Sequence, residues 1–314
     1  MSMKNASIAT TSKKNISINK NTLIFLIVIF VFILGTYLIY NNISSKKITT
    51  DTSDATNQIE SENDSNIQNS YMDTDKSTVQ DMHSFDEATL VNDNRGIPVL
   101  YYHSVKESAD NEVTITPEML KTQLKYIKDE GYTTLTLSEL KNYLLNNSPI
   151  PKKSIIITFD DGYMDNYNNA FPILKDFNMV ATIFCITSKL DGSFYLSKDA
   201  INEMSSYGID IQSHTVNHHH LNKMTYDEQL TEIKESKKTL ESITGKKVDS
   251  IAYPFGDFNN DSIKAAKYAG YTLGFTTKRG LSDRDDNLLK LDRIYISSKY
   301  DMNTFKEILN KTEK

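Results

Sequence analysis

A distorted (β/α) barrel is the fold predicted for the larger, C-terminal part of this 314-residue sequence, preceded by one transmembrane helix and a disordered linker. Two observations predict the barrel. From Arg95 onward, short apolar, β-branched runs alternate with helical stretches, the pattern of strands joined by crossover helices. The polar residues suited to chemistry also fall repeatedly just after those runs, where a barrel gathers its catalytic loops. A doubly wound dinucleotide-binding sheet is disfavoured, because no Gly-x-Gly-x-x-Gly follows a strand candidate.

The N-terminal elements come first. Residues 1–22 carry Lys4, Lys13, Lys14 and Lys20 and no acid, and read as a cytoplasmic tail. Residues 23–40, LIFLIVIFVFILGTYLIY, hold no charge and as a helix would span about 27 Å, close to the hydrocarbon core. A cleaved signal peptide is the competing reading. Its apolar region would be shorter, however, and Asn41-Asn42-Ile43 offers no small-x-small site. With the lysines ahead of the span, the positive-inside rule puts the N-terminus in the cytoplasm and the rest outside. The expected location is therefore the cell membrane, single-pass, with an extracytoplasmic body. Residues 41–94 are rich in Ser, Thr, Asn and Asp, and from 51 to 94 they hold eleven acids against Lys76 alone. Such a stretch cannot bury enough apolar surface to offset ordering entropy, and reads as a flexible tether with a reach of roughly 40 Å.

The body, residues 95–314, has 28 basic and 30 acidic residues and is nearly neutral. That balance argues against nucleic acid as a partner, which needs a basic face to meet its phosphates. Cys185 is the single cysteine, which excludes an intrachain disulfide framework and a Cys-rich zinc module. A monomer is expected.

Strand candidates in the body are 97–102, 155–159, 180–186, 208–212, 271–276 and 291–296, with weaker ones at 132–135 and 250–253. Thr116-Pro117-Glu118 reads as an N-cap, a first-turn proline and a first-turn acid, with Gly131 ending that helix. Thr225 and Glu228 fit a capping box opening a helix to about residue 243, closed by Gly245. A further helix over 260–269 is followed by Gly270.

The candidate functional residues follow those strands. His103 follows the first, Asp160-Asp161-Gly162 the run IIITF, His214 the run GIDIQS, and Pro254 the strand at 250, while Arg293 lies within the last strand. Four of the six histidines fall in 213–221, SHTVNHHHL. His214 and His218 are four apart, so on a first helical turn they would share a face. Two imidazoles and a carboxylate make a three-ligand site with room for water, as in catalytic zinc sites. Taken alone, the Asp pair could be a solvated loop and the histidine run a surface stretch. Their coincidence at matched strand ends favours a site.

Thr158-Phe159-Asp160-Asp161-Gly162 resembles the first motif of the polysaccharide deacetylases, the NodB-homology or carbohydrate esterase family 4 group. His214-Thr215-Val216-Asn217-His218 resembles the second motif, Tyr253-Pro254-Phe255-Gly256 the third, and Ile97 to His103 the opening of the poly-N-acetylglucosamine deacetylase subgroup. The resemblance implies a divalent metal, usually Zn2+, on Asp161, His214 and His218, with Asp160 as general base. It also implies the backbone N–H of Phe255 as a donor to the oxyanion. The chain departs from the pattern in three places. Positions 250–252 read Ser-Ile-Ala where many members carry an arginine, there is no Trp, and no histidine follows His220. Arg293 is expected to steady the base instead, and His103 to serve as general acid, since the first and last strands adjoin in a closed barrel. His103 as a packed structural residue is the alternative.

The resulting expectation is a metal-dependent N-deacetylase of a GlcNAc-containing polysaccharide, either poly-N-acetylglucosamine or peptidoglycan. O-acetyl ester hydrolysis on xylan or another glycan, and a non-catalytic glycan-binding protein, are the alternatives. A metal-free glycosidase with Asp160 and Asp161 as its acid–base pair fails sterically, because adjacent residues cannot readily flank one glycosidic bond. Tyr101, Tyr102, Tyr163 and Phe255 are candidates for a sugar groove or for the core.

Overall fold

A computed structural model describes residues 85–312. The tail 1–22, the span 23–40 and residues 41–84 of the expected linker lie outside the described residues. Among the described residues, no helix is long and apolar enough to cross a membrane.

In chain order the first elements are β1 (Leu90–Val91), β2 (Val99–Tyr102), β3 (Ser104–Val105), β4 (Thr114–Ile115) and α1 (Pro117–Asp129). Next come β5 (Thr133–Thr134), α2 (Leu137–Asn146), β6 (Ile150–Pro151), β7 (Ser154–Phe159), α3 (Phe171–Phe177) and β8 (Thr182–Cys185). The remainder is α4 (Lys198–Tyr207), β9 (Asp210–Ser213), α5 (Tyr226–Thr244), β10 (Ser250–Ala252), α6 (Asn260–Tyr268), β11 (Leu273–Arg279), β12 (Leu291–Tyr295) and α7 (Met302–Asn310). The caps fall where the sequence predicts. Thr116 accepts from the Met119 N–H, and Thr225 and Glu228 form a reciprocal capping box. β1 lies within the stretch read as linker, yet it pairs antiparallel with β6. A two-residue strand is too short to register as an alternating pattern.

Seven parallel strands close into a barrel in the order β2, β7, β8, β9, β10, β11, β12, with β12 pairing back onto β2. The eighth strand, β5, pairs only with the first residues of β7 and does not enter the ring. Strand alternation decides what faces in. Leu100, Tyr102, Ile155, Ile157 and Phe159 join the cluster that also holds the helices' apolar residues. Val99, Ile156, Phe184 and Leu291 form the other, inner cluster. Leu137, Leu140 and Tyr143 of α2 join it near Ile97 and Ile150, which precede β2 and β7, and so stopper the N-terminal end of the barrel. Extended by two residues at a time, the inward parity runs to Tyr101 on β2 and His103 just past it, to Thr158 on β7 and Asp160 just past it, and to Arg293 on β12. The same pleat that fills the barrel therefore delivers its polar residues to the opposite end.

Candidate metal and catalytic centre

Asp160 continues the β7 ladder, its N–H donating to the Tyr102 carbonyl at 2.9 Å. Asp161 and Gly162 then both turn left-handed, with φ of 75° and 74°. Gly162 lies against β8, where a Cβ would meet the Cys185 Sγ at 3.0 Å, so only glycine lets the turn pack that closely. Among the described residues six non-glycines have positive φ: Asn147, Asp161, Asn178, Thr215, His218 and Phe255. The two asparagines cap helix C-termini, a place that tolerates this conformation. The other four ring the centre. Each costs on the order of 1–3 kcal/mol, and such strain gathers at functional sites.

The sequence places His214 and His218 on one helical turn, and the structure corrects this. Residues 214–220 are irregular, because Thr215 (φ 66°) and His218 (φ 60°) break any helix before the short turn at Leu221–Lys223. The loop still brings the imidazoles together, with ring centroids 4.8 Å apart. It is held by the Thr215 Oγ1 accepting from the His218 N–H, and by Glu232 of α5, which accepts from both the backbone N–H and the side-chain amide of Asn217.

His214 Nδ1 lies 2.7 Å from the Ala252 carbonyl. A carbonyl only accepts, so Nδ1 carries the proton and Nε2 presents a lone pair. That Nε2 is 3.5 Å from Asp161 Oδ1, and His218 Nε2 is 3.4 Å from the same oxygen. Asp161 Oδ1 is buried with no hydrogen-bond partner. Burial, reinforced by His214 and opposed by Asp161, pushes the His218 imidazole below the usual histidine range and keeps it neutral. One ligand atom from each of Asp161, His214 and His218 lies within 4.8 Å of the others. Converging lone pairs around an unpartnered buried carboxylate oxygen fit a divalent cation.

Arg293 reaches Asp160 from β12. Nη1 donates to Oδ1 at 2.8 Å and Nη2 to Oδ2 at 2.7 Å. The guanidinium is fully buried, also donates to the Thr276 carbonyl, and lies over the Tyr101 ring at 4.2 Å. Burial alone would raise the Asp160 carboxyl, but the Arg293 charge and its paired hydrogen bonds hold it well below the usual carboxylate range.

His103 stands beside this pair. Its Nδ1 is buried without a hydrogen-bond partner. Burial pushes its imidazole below the usual range, while the Asp160 and Asp161 charges pull the other way. The Asn166 side chain holds its carbonyl at 2.7 Å, and Asp165 accepts from Ser104 and the Val105 N–H just beyond. Phe255 has φ 58° and a half-exposed ring that meets His218 edge-on at 4.4 Å and stacks on His220 at 4.0 Å. His220 in turn bonds Asp257. Tyr101 and Tyr102 are buried, Tyr101 under Arg293 and Tyr102 in the outer core with its hydroxyl on Gln123, so neither lines a groove. Tyr163 remains partly exposed. Glu232, Asp165 and Asn166 escape a sequence reading. They support the site from helices and turns and carry no motif of their own.

The family model described as polysaccharide deacetylase matches residues 147–274. YxkH of Bacillus subtilis, provisionally named for the same family, is 37% identical over 201 residues, covering 64% of this chain and 71% of that one. The poly-β-1,6-N-acetyl-D-glucosamine N-deacetylase of Staphylococcus epidermidis is 33% identical over 199 residues, 59% of this chain and 68% of that one. Among solved structures, the Streptococcus pyogenes deacetylase PplD, in complex with acetate, superposes with a TM-score of 0.66 at 34% identity. It covers 69% of this chain and 99% of that one.

Proposed function

The chain belongs to the polysaccharide deacetylase family, and from that premise we propose that it is a metal-dependent N-deacetylase of a GlcNAc-containing extracellular polysaccharide. Poly-β-1,6-N-acetylglucosamine is the favoured polymer, because the Staphylococcus epidermidis relative is named for it. The observation that carries the metal chemistry is Asp161 Oδ1, buried and unpartnered between two imidazole nitrogens.

Asp161, His214 and His218 hold the cation, taken to be Zn2+. A divalent cation there supplies Lewis acidity, acidifying a water and polarising the acetamide carbonyl. The chain's own groups do the rest. Asp160, kept ionised by Arg293, takes the proton of the attacking water. Its two bonds to Arg293 fix which lone pairs remain free for that proton. The Phe255 N–H donates to the developing oxyanion. The proton that Asp160 takes from the water leaves with the departing amine by way of His103, whose protonated form the charges of both aspartates favour against burial.

The uncharged span 23–40 supports a single-pass anchor with the catalytic domain outside the cell, joined by the acidic stretch that follows. Acetate release from β-1,6-linked and β-1,4-linked N-acetylglucosamine oligomers by the full-length chain is the test. Release that needs both added metal and Asp160 supports the reading. Release from acetylated xylan alone would replace it with ester hydrolysis, and tight glycan binding without release would make the chain a binding protein.

A further inference from the structure

Among the described residues only Leu145, Phe194, Phe255 and Tyr268 are large hydrophobics left exposed. Two of the four stand at the catalytic end of the barrel. Phe194, 61% exposed, packs edge-on against Tyr163 at 5.3 Å and against Tyr195 at 5.1 Å, and Tyr163 and Tyr195 stack on each other at 5.2 Å. Tyr163 lies two residues beyond Asp161. Phe255, on the loop after β10, touches His218. Phe194 thus stands on the loop after β8, bonded to the turn that carries Asp161, and Phe255 on the loop after β10, against His218.

The Phe194 loop is built and held. Asp191 Oδ1 accepts from three consecutive N–H groups, those of Ser193, Phe194 and Tyr195, at 2.8, 3.1 and 3.1 Å. The loop is also stitched to the turn that carries Asp161. The Met164 N–H donates to the Phe194 carbonyl, the Leu196 N–H donates to the Gly162 carbonyl, and Tyr163 bridges Tyr195. A phenyl ring kept in water by this many bonds is preorganised for a flat apolar partner. The axial C–H face of a pyranose is such a partner, and the deacetylase site beside it supplies one.

We propose that Phe194 is a stacking platform for a sugar that flanks the reacting one, with Phe255 offering a second apolar face beside His218. The enzyme then binds a run of linked hexosamines laid across the metal triad and acts within a polymer in preference to free monosaccharides or short ends. This rests on the deacetylase reading above. It adds a subsite on which that chemistry does not depend.

The test uses the full-length, metal-loaded chain and N-acetylglucosamine oligomers of two to six units, with acetate release and titration calorimetry as separate readouts. For the wild type, kcat/KM rises with length. In Phe194→Ala the ratio of kcat/KM for the hexamer to that for the dimer falls about fivefold, carried by KM, the effect of losing one stacking contact. Phe194→Tyr restores the ratio. Phe194→Leu, apolar but not flat, does not. Leu145→Ala, also exposed and on α2, leaves it unchanged. An unaltered ratio in Phe194→Ala overturns the proposal, and so does an equal loss at every length, which would mean only a disturbed Asp161 turn. If the wild type releases no acetate from any oligomer, the deacetylase reading fails and calorimetry decides the platform alone. Weaker hexamer binding by Phe194→Ala sustains it, and equal binding rejects it.

Discussion

Asp160 and Arg293 form a buried ion pair whose partners stand 133 residues apart in the chain. Removing one partner strands the other charge in the barrel, so Arg293→Met should cost about 3–5 kcal/mol in denaturant unfolding. Adding Asp160→Asn should recover much of that loss, since the carboxylate then no longer needs a counter-charge. Asp160→Asn alone should cut kcat by about 10²- to 10⁴-fold while leaving metal stoichiometry intact. If His103 is the general acid, His103→Ala should flatten one limb of the pH–rate profile as well as lower kcat. Wild-type turnover with an unchanged profile would make it a packing residue. Arg293 was legible as a partner for Asp160 because positions 250–252 hold no arginine, which leaves the last strand to supply one. That Arg293 would make two hydrogen bonds to Asp160 was not, because it depends on pleat parity, which shifts with any error of one residue in strand register.

At the scale of elements, the strands and helix caps could be read because apolar period and capping chemistry are local. The loops could not. His214 and His218 look like one helical turn by spacing, and only Thr215 and His218 turning left-handed brings them together by another route. Nothing in a Thr or a His announces a positive φ. Glu232 was equally hidden, since it holds the His214–His218 loop through Asn217 from fifteen residues away on α5. Glu232→Ala should weaken Zn2+ binding by roughly 10- to 100-fold, as loss of an outer supporting contact does, measured by competition with a chelating dye. At the start of β9, burial pushes the Asp210 carboxyl up to about 6, with the Gln212 amide opposing and the Asp249 charge adding to the rise. A raised folded value means the native state holds the proton more tightly than the unfolded chain. This site's contribution to stability is therefore present below about pH 4 and lost as pH climbs to about 6. Asp210→Asn should raise Tm relative to wild type at pH 7.5 and leave it unchanged near pH 4.

For the whole molecule, anchor and barrel divide the labour proposed above, and a variant lacking residues 1–40 separates them. It should leave the membrane fraction on sedimentation yet keep its kcat/KM on short soluble oligomers. Retention in the membrane fraction would point to another means of attachment. The barrel itself closes between its first and last described strands, β2 and β12, and the guanidinium that steadies Asp160 arrives on β12. A chain emerging from the ribosome or a translocation pore therefore exposes its histidines and aspartates well before it can finish the pocket. Until the final strand docks, Asp160 has no counter-charge and the ring stays open along one seam. Hydrolytic competence thus doubles as a proof of completed folding: a product stalled short of residue 291 holds Asp161, His214 and His218 and is expected to be inert.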